Sequence, residues 1–439
     1  MKILLVEAAE YLYSYGGANK ANRLLVEWMA MNGHQCVVVN VKNKNTDFST
    51  YDYLQEHQGD KNLEVIELTE EIAHFRLNHV EDYTVMEGIR TVSVLRTVMK
   101  DYEPELVLVS DDYPFFLLRT VLEFDAKIVF IAHCQATLSF GPESYEKDEI
   151  MTKSFTQLDG IIVVSDYLGK YFKKWAGIDT KRIYFPSYGE GPFSNLANYD
   201  NPYVTVINPS LLKGFTIFIE MAKCMKEVQF AAIPTWATSN EEIEIMNGID
   251  NITVLDPVDD VNEIYAKTKV FLMPSLWGEA LGQVVIEALL RGIPVIASNV
   301  GGLPEAMLGL DYLLPVNPIE EYMVDEQIKE KTLAPIIPEQ NWGIWVETLR
   351  KCLSNREEYM ELSTRCYHTA KQFHETISFR GFEEYFKEIV AKQNINEERS
   401  QKLEKIKKSQ ERLKTLSSNK KEQLAALLRQ RRGVSEKNE

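Results

Sequence analysis

Short apolar runs alternate with amphipathic stretches along most of the chain. KILLV is followed by a loop, EAAEYLYSYGGANKA, and then by NRLLVEWMAMNG, whose apolar residues recur near every 3.6 positions before a stop at Gly33. QCVVVNV, LVLVS (106–110), KIVFIAH (127–133) and GIIVVS (160–165) are apolar on both faces, as parallel strands are, and IRTVSVLRTVMKDY and DYLGKYFKKWAG read as the helices between them. Periodicity lapses in a stretch rich in Pro, Gly, Asn and Ser, which predicts a domain boundary near residue 195. A second series then begins: YVTVINP, VQFAAIP, NITVLDP, KVFLMPS and GIPVIAS as buried strands, with LKGFTIFIEMAKCM as a helix. From about 340 the pattern is helical. The expectation is an α/β protein of two Rossmann-like, doubly wound domains facing across a cleft, residues 1–195 and 196–376, with a helix at 377–398 packing back toward the first domain and a helical tail at 399–439.

Composition adds limits. The 439 residues are 45% hydrophobic and 26% charged, ordinary for globular domains, and no apolar run approaches the length of a membrane span. With MKILLVEAAE reading as a strand rather than a leader, a cytoplasmic protein is expected. Five scattered cysteines, none in a C-x-x-C spacing, suit free thiols in a reducing compartment. The net charge of −17 disfavours nucleic acid as a partner. The charge is uneven, however: residues 399–439 carry thirteen lysines and arginines against five glutamates. The first strand is not followed by G-x-G-x-x-G, which argues against a nicotinamide-dependent dehydrogenase. No D-x-D or histidine–acid cluster suggests a catalytic metal.

The chemistry concentrates after KVFLMPS. Leu281 onward reads as a helix start, where free amides and the positive end of the macrodipole attract phosphate and where Gly282 permits close approach. Glu279 lies just ahead and Glu287 one to two turns inside, so the pair brackets a site for a nucleoside-diphosphate sugar, with hexose hydroxyls at Glu279 and ribose hydroxyls at Glu287. By spacing alone, a helix-start acid and a solvated surface acid explain the pair as well. The flanking strands put Glu279 at a strand's carboxyl end, in a ligand crevice.

This segment resembles the donor-site signature of the retaining GT-B glycosyltransferases of family 4. The resemblance rests on Pro274, Ser275, Glu279, Gly282, Glu287 and Ala288, then Gly292, Pro294, Val295 and Ala297, then Gly301, Gly302 and Glu305, and extends more weakly over residues 1–395. It implies that Gly16 and Gly17 lie at the cleft near donor phosphate, that His133 sits beside the reacting sugar, and that Lys213 neutralises the diphosphate. Asn208 stands where the family has an arginine. Pro257 and Val258 occupy a loop whose backbone touches the base, and Leu281, Gly282 and Gln283 present amides to the diphosphate. Trp236 either stacks on the base or packs. The resemblance also implies transfer with retention at the anomeric carbon, with no cofactor beyond the nucleotide-sugar co-substrate. In that scheme His133, Lys213 and Glu279 carry the chemistry. Tyr11, Tyr13 and Tyr15 flank the expected acceptor mouth, as sugar-facing aromatics or as packing.

The tail segment LSSNKKEQLAALLRQRRG resembles short helical sequences beside carrier domains of nonribosomal peptide synthetases, which implies natural-product assembly and docking on a carrier protein or synthetase. A basic tail also fits an anionic membrane surface, or simple solvation. Three functions stay open: a glycosyltransferase, another GT-B enzyme such as a nucleotide-sugar epimerase, and a non-catalytic nucleotide-sugar-binding scaffold.

Overall fold

The structure is a computed structural model describing residues 1–12, 16–42, 50–110, 112–113, 115–189, 191–258, 260–324, 333–392 and 408. Tyr13, Tyr15 and, apart from Lys408, the basic tail lie outside the described residues.

Every buried run of the first series becomes a strand. The nine-stranded sheet runs, edge to edge, Leu63–Leu68, Ile72–Leu77, Val80–Met86, Gln35–Lys42, Lys2–Glu7, Leu106–Ser110, Lys127–Ala132, Gly160–Val163, Lys181–Arg182. From Val80–Met86 onward all pairs are parallel. Counted in chain order, the parallel strands lie 3-2-1-4-5-6-7. The order therefore reverses between Lys2–Glu7 and Leu106–Ser110, and the carboxyl ends of these two strands open a crevice there. Both are buried almost throughout.

The sheet is mixed rather than parallel throughout, because Leu63–Leu68 and Ile72–Leu77 add antiparallel to Val80–Met86. Glu64, Glu67, His74, Arg76, Glu81 and Asp82 interrupt these strands, so they lack the doubly buried signature of their neighbours. The outermost strand is exposed at all but its first residue. Asp82 is an exception to the polar-out rule: it is fully buried, accepts from Asn40 (2.8 Å) and Thr84 (2.8 Å), and burial pushes its carboxyl up to about 8.

The second sheet repeats the plan with six parallel strands: Ile252–Val254, Gln229–Ile233, Tyr203–Ile207, Thr268–Met273, Val295–Ser298, Leu313–Leu314. In chain order this is 3-2-1-4-5-6, with its reversal between Tyr203–Ile207 and Thr268–Met273. Helix Arg356–Glu375 packs along this domain, with Tyr359 donating to the Lys269 carbonyl (2.8 Å), and then reaches the connecting segment, where Tyr367 donates to the Phe193 carbonyl (2.8 Å). Helix Arg380–Ala391 lies on the first domain. Phe382 packs at a tilt against Phe185 (4.4 Å between centroids), Phe379 meets Trp28, and Glu383 pairs with His34 (2.9 Å). The chain thus crosses between domains twice. None of the five cysteines is in a disulfide, and among the described residues no helix is long and apolar enough to cross a membrane.

The second reversal point depends on a close approach. Gly214 has φ of 79°, and a Cβ there would sit 1.9 Å from the Pro274 carbonyl oxygen. The turn after the first strand is thereby pressed onto the loop after the fourth. Replacing Gly214 with alanine adds left-handed strain to a backbone clash, each enough to cost on the order of 1–3 kcal/mol. Urea melts of Gly214→Ala should show a loss of about 2–4 kcal/mol; a loss below about 0.5 kcal/mol would mean that this approach is not tight.

Candidate active site

At the second domain's reversal point, the turn after Tyr203–Ile207 brings Lys213 and the loop after Thr268–Met273 brings Ser275, Trp277 and Glu279. Lys213 and Glu279 are both buried, at 8% and 7% exposure, and form an ion pair. The same carboxylate oxygen of Glu279 accepts from the Ser275 hydroxyl (2.9 Å) and the Trp277 indole N–H (2.7 Å). Its other oxygen accepts no hydrogen bond among the described residues. The Lys213 ammonium lies 5.3 Å from the Trp277 ring centroid and 5.9 Å from that of Trp236. The cation is therefore held between two aromatic faces and one carboxylate, in surroundings where neither charge is tolerated alone.

Asn208 follows the carboxyl end of Tyr203–Ile207. It sits in the left-handed region (φ 59°), buried, and its side-chain oxygen accepts from the Ala237 N–H (3.1 Å) and the Thr238 hydroxyl (3.2 Å). That oxygen faces protein: it ties down the loop carrying Trp236, which is half exposed. The cation lost at this position is not replaced by a side-chain charge, and Lys213 remains the buried cation of the turn.

The helix expected from Leu281 starts two residues later, at Gln283–Leu289. Gly282 is its N-cap in the left-handed region (φ 93°), without a side-chain cap, and Leu281 is buried. The Gly301–Gly302 turn packs directly onto the loop before it, a Cβ on Gly301 falling 2.5 Å from the Glu279 amide nitrogen. Glu287 lies half-buried on this helix. Burial raises its pKa, against the lowering effects of Lys20 on the opposite domain, of Arg291 and of a hydrogen bond with Tyr265. Pro257 and Val258 are exposed beyond the carboxyl end of Ile252–Val254.

Across the cleft, Gly16 caps helix Gly17–Met31, and a Cβ on Gly17 would fall 2.4 Å from the Gln283 side-chain oxygen, so the two phosphate-loop candidates face each other. His133 follows strand Lys127–Ala132. Its Nε2 donates to the Asn22 oxygen (2.8 Å), and Asn22 donates in turn to Glu7 (3.1 Å). The ring packs against Phe185 (5.0 Å), and burial lowers its pKa to about 3. His133 is thus a neutral imidazole with a fixed tautomer, its Nδ1 unprotonated. Tyr11 is almost fully buried and packs in the core rather than at an acceptor mouth.

Several contacts between the domains escaped the sequence reading. Gln135 donates to the Gly278 carbonyl, Ser165 donates to the Ala280 carbonyl, and Glu305 accepts from the Asp166 amide (2.9 Å) and the Tyr184 hydroxyl. Ser275 and Glu305 lie within the motif yet had no assigned task. Nothing in the pattern marks Gln135 or Ser165, because loop residues that meet a second domain have no periodicity. Among the described residues no group of three or more His, Cys, Asp or Glu could hold a metal ion.

Two family models tile this architecture. Residues 15–185 match the model described as Glycosyltransferase Family 4, and residues 203–325 match Glycosyl transferases group 1. Sucrose-phosphate synthase from Thermosynechococcus elongatus superposes with a TM-score of 0.64 at 17% identity, covering 89% of this chain and all of that one. Anabaena HepE in complex with UDP and glucose gives 0.61 at 15% identity, covering 90% of this chain and all of that one. A Klebsiella pneumoniae protein described as an uncharacterized 42.6 kDa protein in the cps region is 22% identical over 70% of this chain and 87% of its own length. The fold and the two models define the class: a glycosyltransferase of GT-B architecture.

Burying His133 neutral has a consequence for stability. The unfolded chain takes up a proton at this residue near its ordinary value of 6.5, the folded chain only near 3, so its contribution is present above about pH 6.5 and is lost as the pH falls toward 3. The slope approaches about 1.4 kcal/mol per pH unit. Urea melts at pH 7 and pH 5 should therefore show a larger acid loss in the wild type than in His133→Gln. Equal losses would contradict a buried, neutral His133.

Proposed function

We propose that this protein transfers a sugar from a nucleoside-diphosphate sugar to an acceptor hydroxyl, with retention at the anomeric carbon. The observation that carries the reading is the buried Lys213–Glu279 pair at the reversal point of the second sheet, where ligands bind in doubly wound folds. The donor's diphosphate is the anion that suits Lys213, beside the uncapped helix start at Gly282. As the glycosidic bond breaks, negative charge grows on the leaving phosphate, and a preorganised cation and amides stabilise that state more than the ground state. Glu279, with one oxygen held by Ser275 and Trp277, offers the other to hydroxyls of the transferred sugar. Glu287 takes the ribose hydroxyls.

Retention without a covalent nucleophile follows if the acceptor attacks from the face that the leaving phosphate occupies, the phosphate taking the acceptor's proton. The acceptor C–O bond forms as the donor C–O bond breaks, and the products are the glycoside and the nucleoside diphosphate. Neutral His133, its Nε2–H committed to Asn22, offers only its unprotonated Nδ1 beside the sugar, as a hydrogen-bond acceptor rather than a general acid. Because the structural relative HepE was captured with UDP, and in another structure with UDP-glucose, UDP is the first nucleotide to test.

Calorimetry against UDP, GDP, TDP and ADP should show binding to one of them. Lys213→Met should weaken it by about 2–3 kcal/mol, the range for a hydrogen-bonded charge, and Glu287→Ala by about 1–2 kcal/mol. Absence of binding by all four would remove the donor site. With a donor and acceptor in hand, a proton NMR spectrum of the first product reports its anomeric configuration, and inversion would exclude the same-face mechanism.

A further inference from the structure

The loop that carries Glu279 is held by the other domain. Gln135, fully buried, donates from one amide nitrogen to the Gly278 carbonyl and to Glu143 (2.5 Å). Exchanging its nitrogen and oxygen would set the oxygen against two acceptors, so the orientation is fixed. Glu143 also accepts from Tyr167 (3.1 Å), and the Tyr167 hydroxyl lies so close to Gly278 that a Cβ there would fall 2.1 Å from it. Ser165 caps helix Asp166–Ala176 and donates to the Ala280 carbonyl. From the second domain, Glu305 reaches back to the Asp166 amide through both oxygens (3.1 and 2.9 Å), with Tyr184 and Arg182 beside it.

These contacts alternate in direction. First-domain side chains grip the backbone at 278 and 280, and a second-domain side chain grips the backbone at 166. They surround Glu279 in sequence, at Gly278 and Ala280, without touching its carboxylate. We infer that Gln135, Ser165 and Glu305 form a clasp that closes the two domains on each other and, in closing, positions the Glu279 loop against Lys213. This rests on the glycosyltransferase reading for its consequence in turnover, and on hydrogen bonds alone for its existence. The clasp is one donor short: the Gln135 carbonyl oxygen is enclosed and has no partner. An enclosed acceptor without a donor opposes closure, so the clasp is balanced rather than locked. These are positioning residues, acting through Glu279.

Hydrogen–deuterium exchange on the full chain, without ligand, tests the clasp independently of catalysis. Gln135→Ala removes no partner of the Asp166 amide, yet opening the clasp should speed exchange at 166–168 at least tenfold. Glu305→Ala should likewise speed exchange at 276–281, while Glu305→Gln, which keeps the acceptor oxygen, should retain most of the protection. Melting temperatures of the variants serve as the control for global unfolding. Changes confined to the contact that each substitution removes, 276–281 for Gln135→Ala and 166–168 for Glu305→Ala, would overturn the coupling, as would Glu305→Gln behaving like Glu305→Ala. In the transfer assay, Gln135→Ala should lower kcat at least tenfold and leave the dissociation constant for UDP within about threefold. An equal loss in UDP affinity would make Gln135 a donor ligand instead and overturn its positioning role. Exchange effects carried from one contact of the clasp to the other, without any sugar transfer by the wild type, would leave the clasp standing and defeat the functional reading.

Discussion

A buried ammonium and a buried carboxylate hold each other at the centre of this molecule. Lys213 and Glu279 come from different strands and different turns, more than sixty residues apart, and neither is stable in its place without an opposite charge. Much of the second domain's upper edge can be understood as what that meeting requires. Gly214 lets the first turn press on Pro274, Gly301 and Gly302 let the following turn press on 279–281, and Ser275 and Trp277 fix one oxygen of the carboxylate. An anionic ligand entering there meets a cation that is already desolvated and already placed, so little reorganisation is left for binding.

The two sheets share one strand order, and so each offers a crevice at its own reversal point. The first contributes Gly16, Gly17 and the His133–Asn22–Glu7 chain; the second contributes Lys213, Glu279 and the Gly282 helix start. The return of helix Arg380–Ala391 to the first domain ties the two domains across the same cleft. The interdomain contacts at 278–281 then act where the chemistry is proposed, which connects the motion of whole domains to the position of one loop.

Much of this was legible in the sequence, for a definite reason. Strands buried on both faces announce themselves as apolar runs, and their alternation with helices announces two doubly wound domains; the strand order that makes each reversal point is seen only in the sheets. The glycines and acids between Pro274 and Glu305 were visible because close approaches admit few residue types. Three further things were hidden. The antiparallel strands Leu63–Leu68 and Ile72–Leu77 carry charges that erase the apolar run. Asn208 was legible as a missing arginine, but its bonds to Ala237 and Thr238 depend on a left-handed backbone that no local pattern shows. Gln135, Ser165 and Glu305 meet their partners only after two domains have docked, and each grips a backbone group, whose chemistry is the same at every residue.

The central claim is that Lys213 is shared between Glu279 and an incoming diphosphate. The most direct measurement is the affinity of Glu279→Gln for the bare nucleoside diphosphate and for the corresponding nucleotide sugar, compared with wild type. Removing the competing negative charge should tighten the bare nucleotide by about twofold to tenfold, on the order of 0.4–1.4 kcal/mol, while weakening the nucleotide sugar relative to it, since the sugar loses its carboxylate. If Glu279→Gln weakens both ligands by the same factor, the carboxylate supports the site only structurally, and the shared-cation account is wrong.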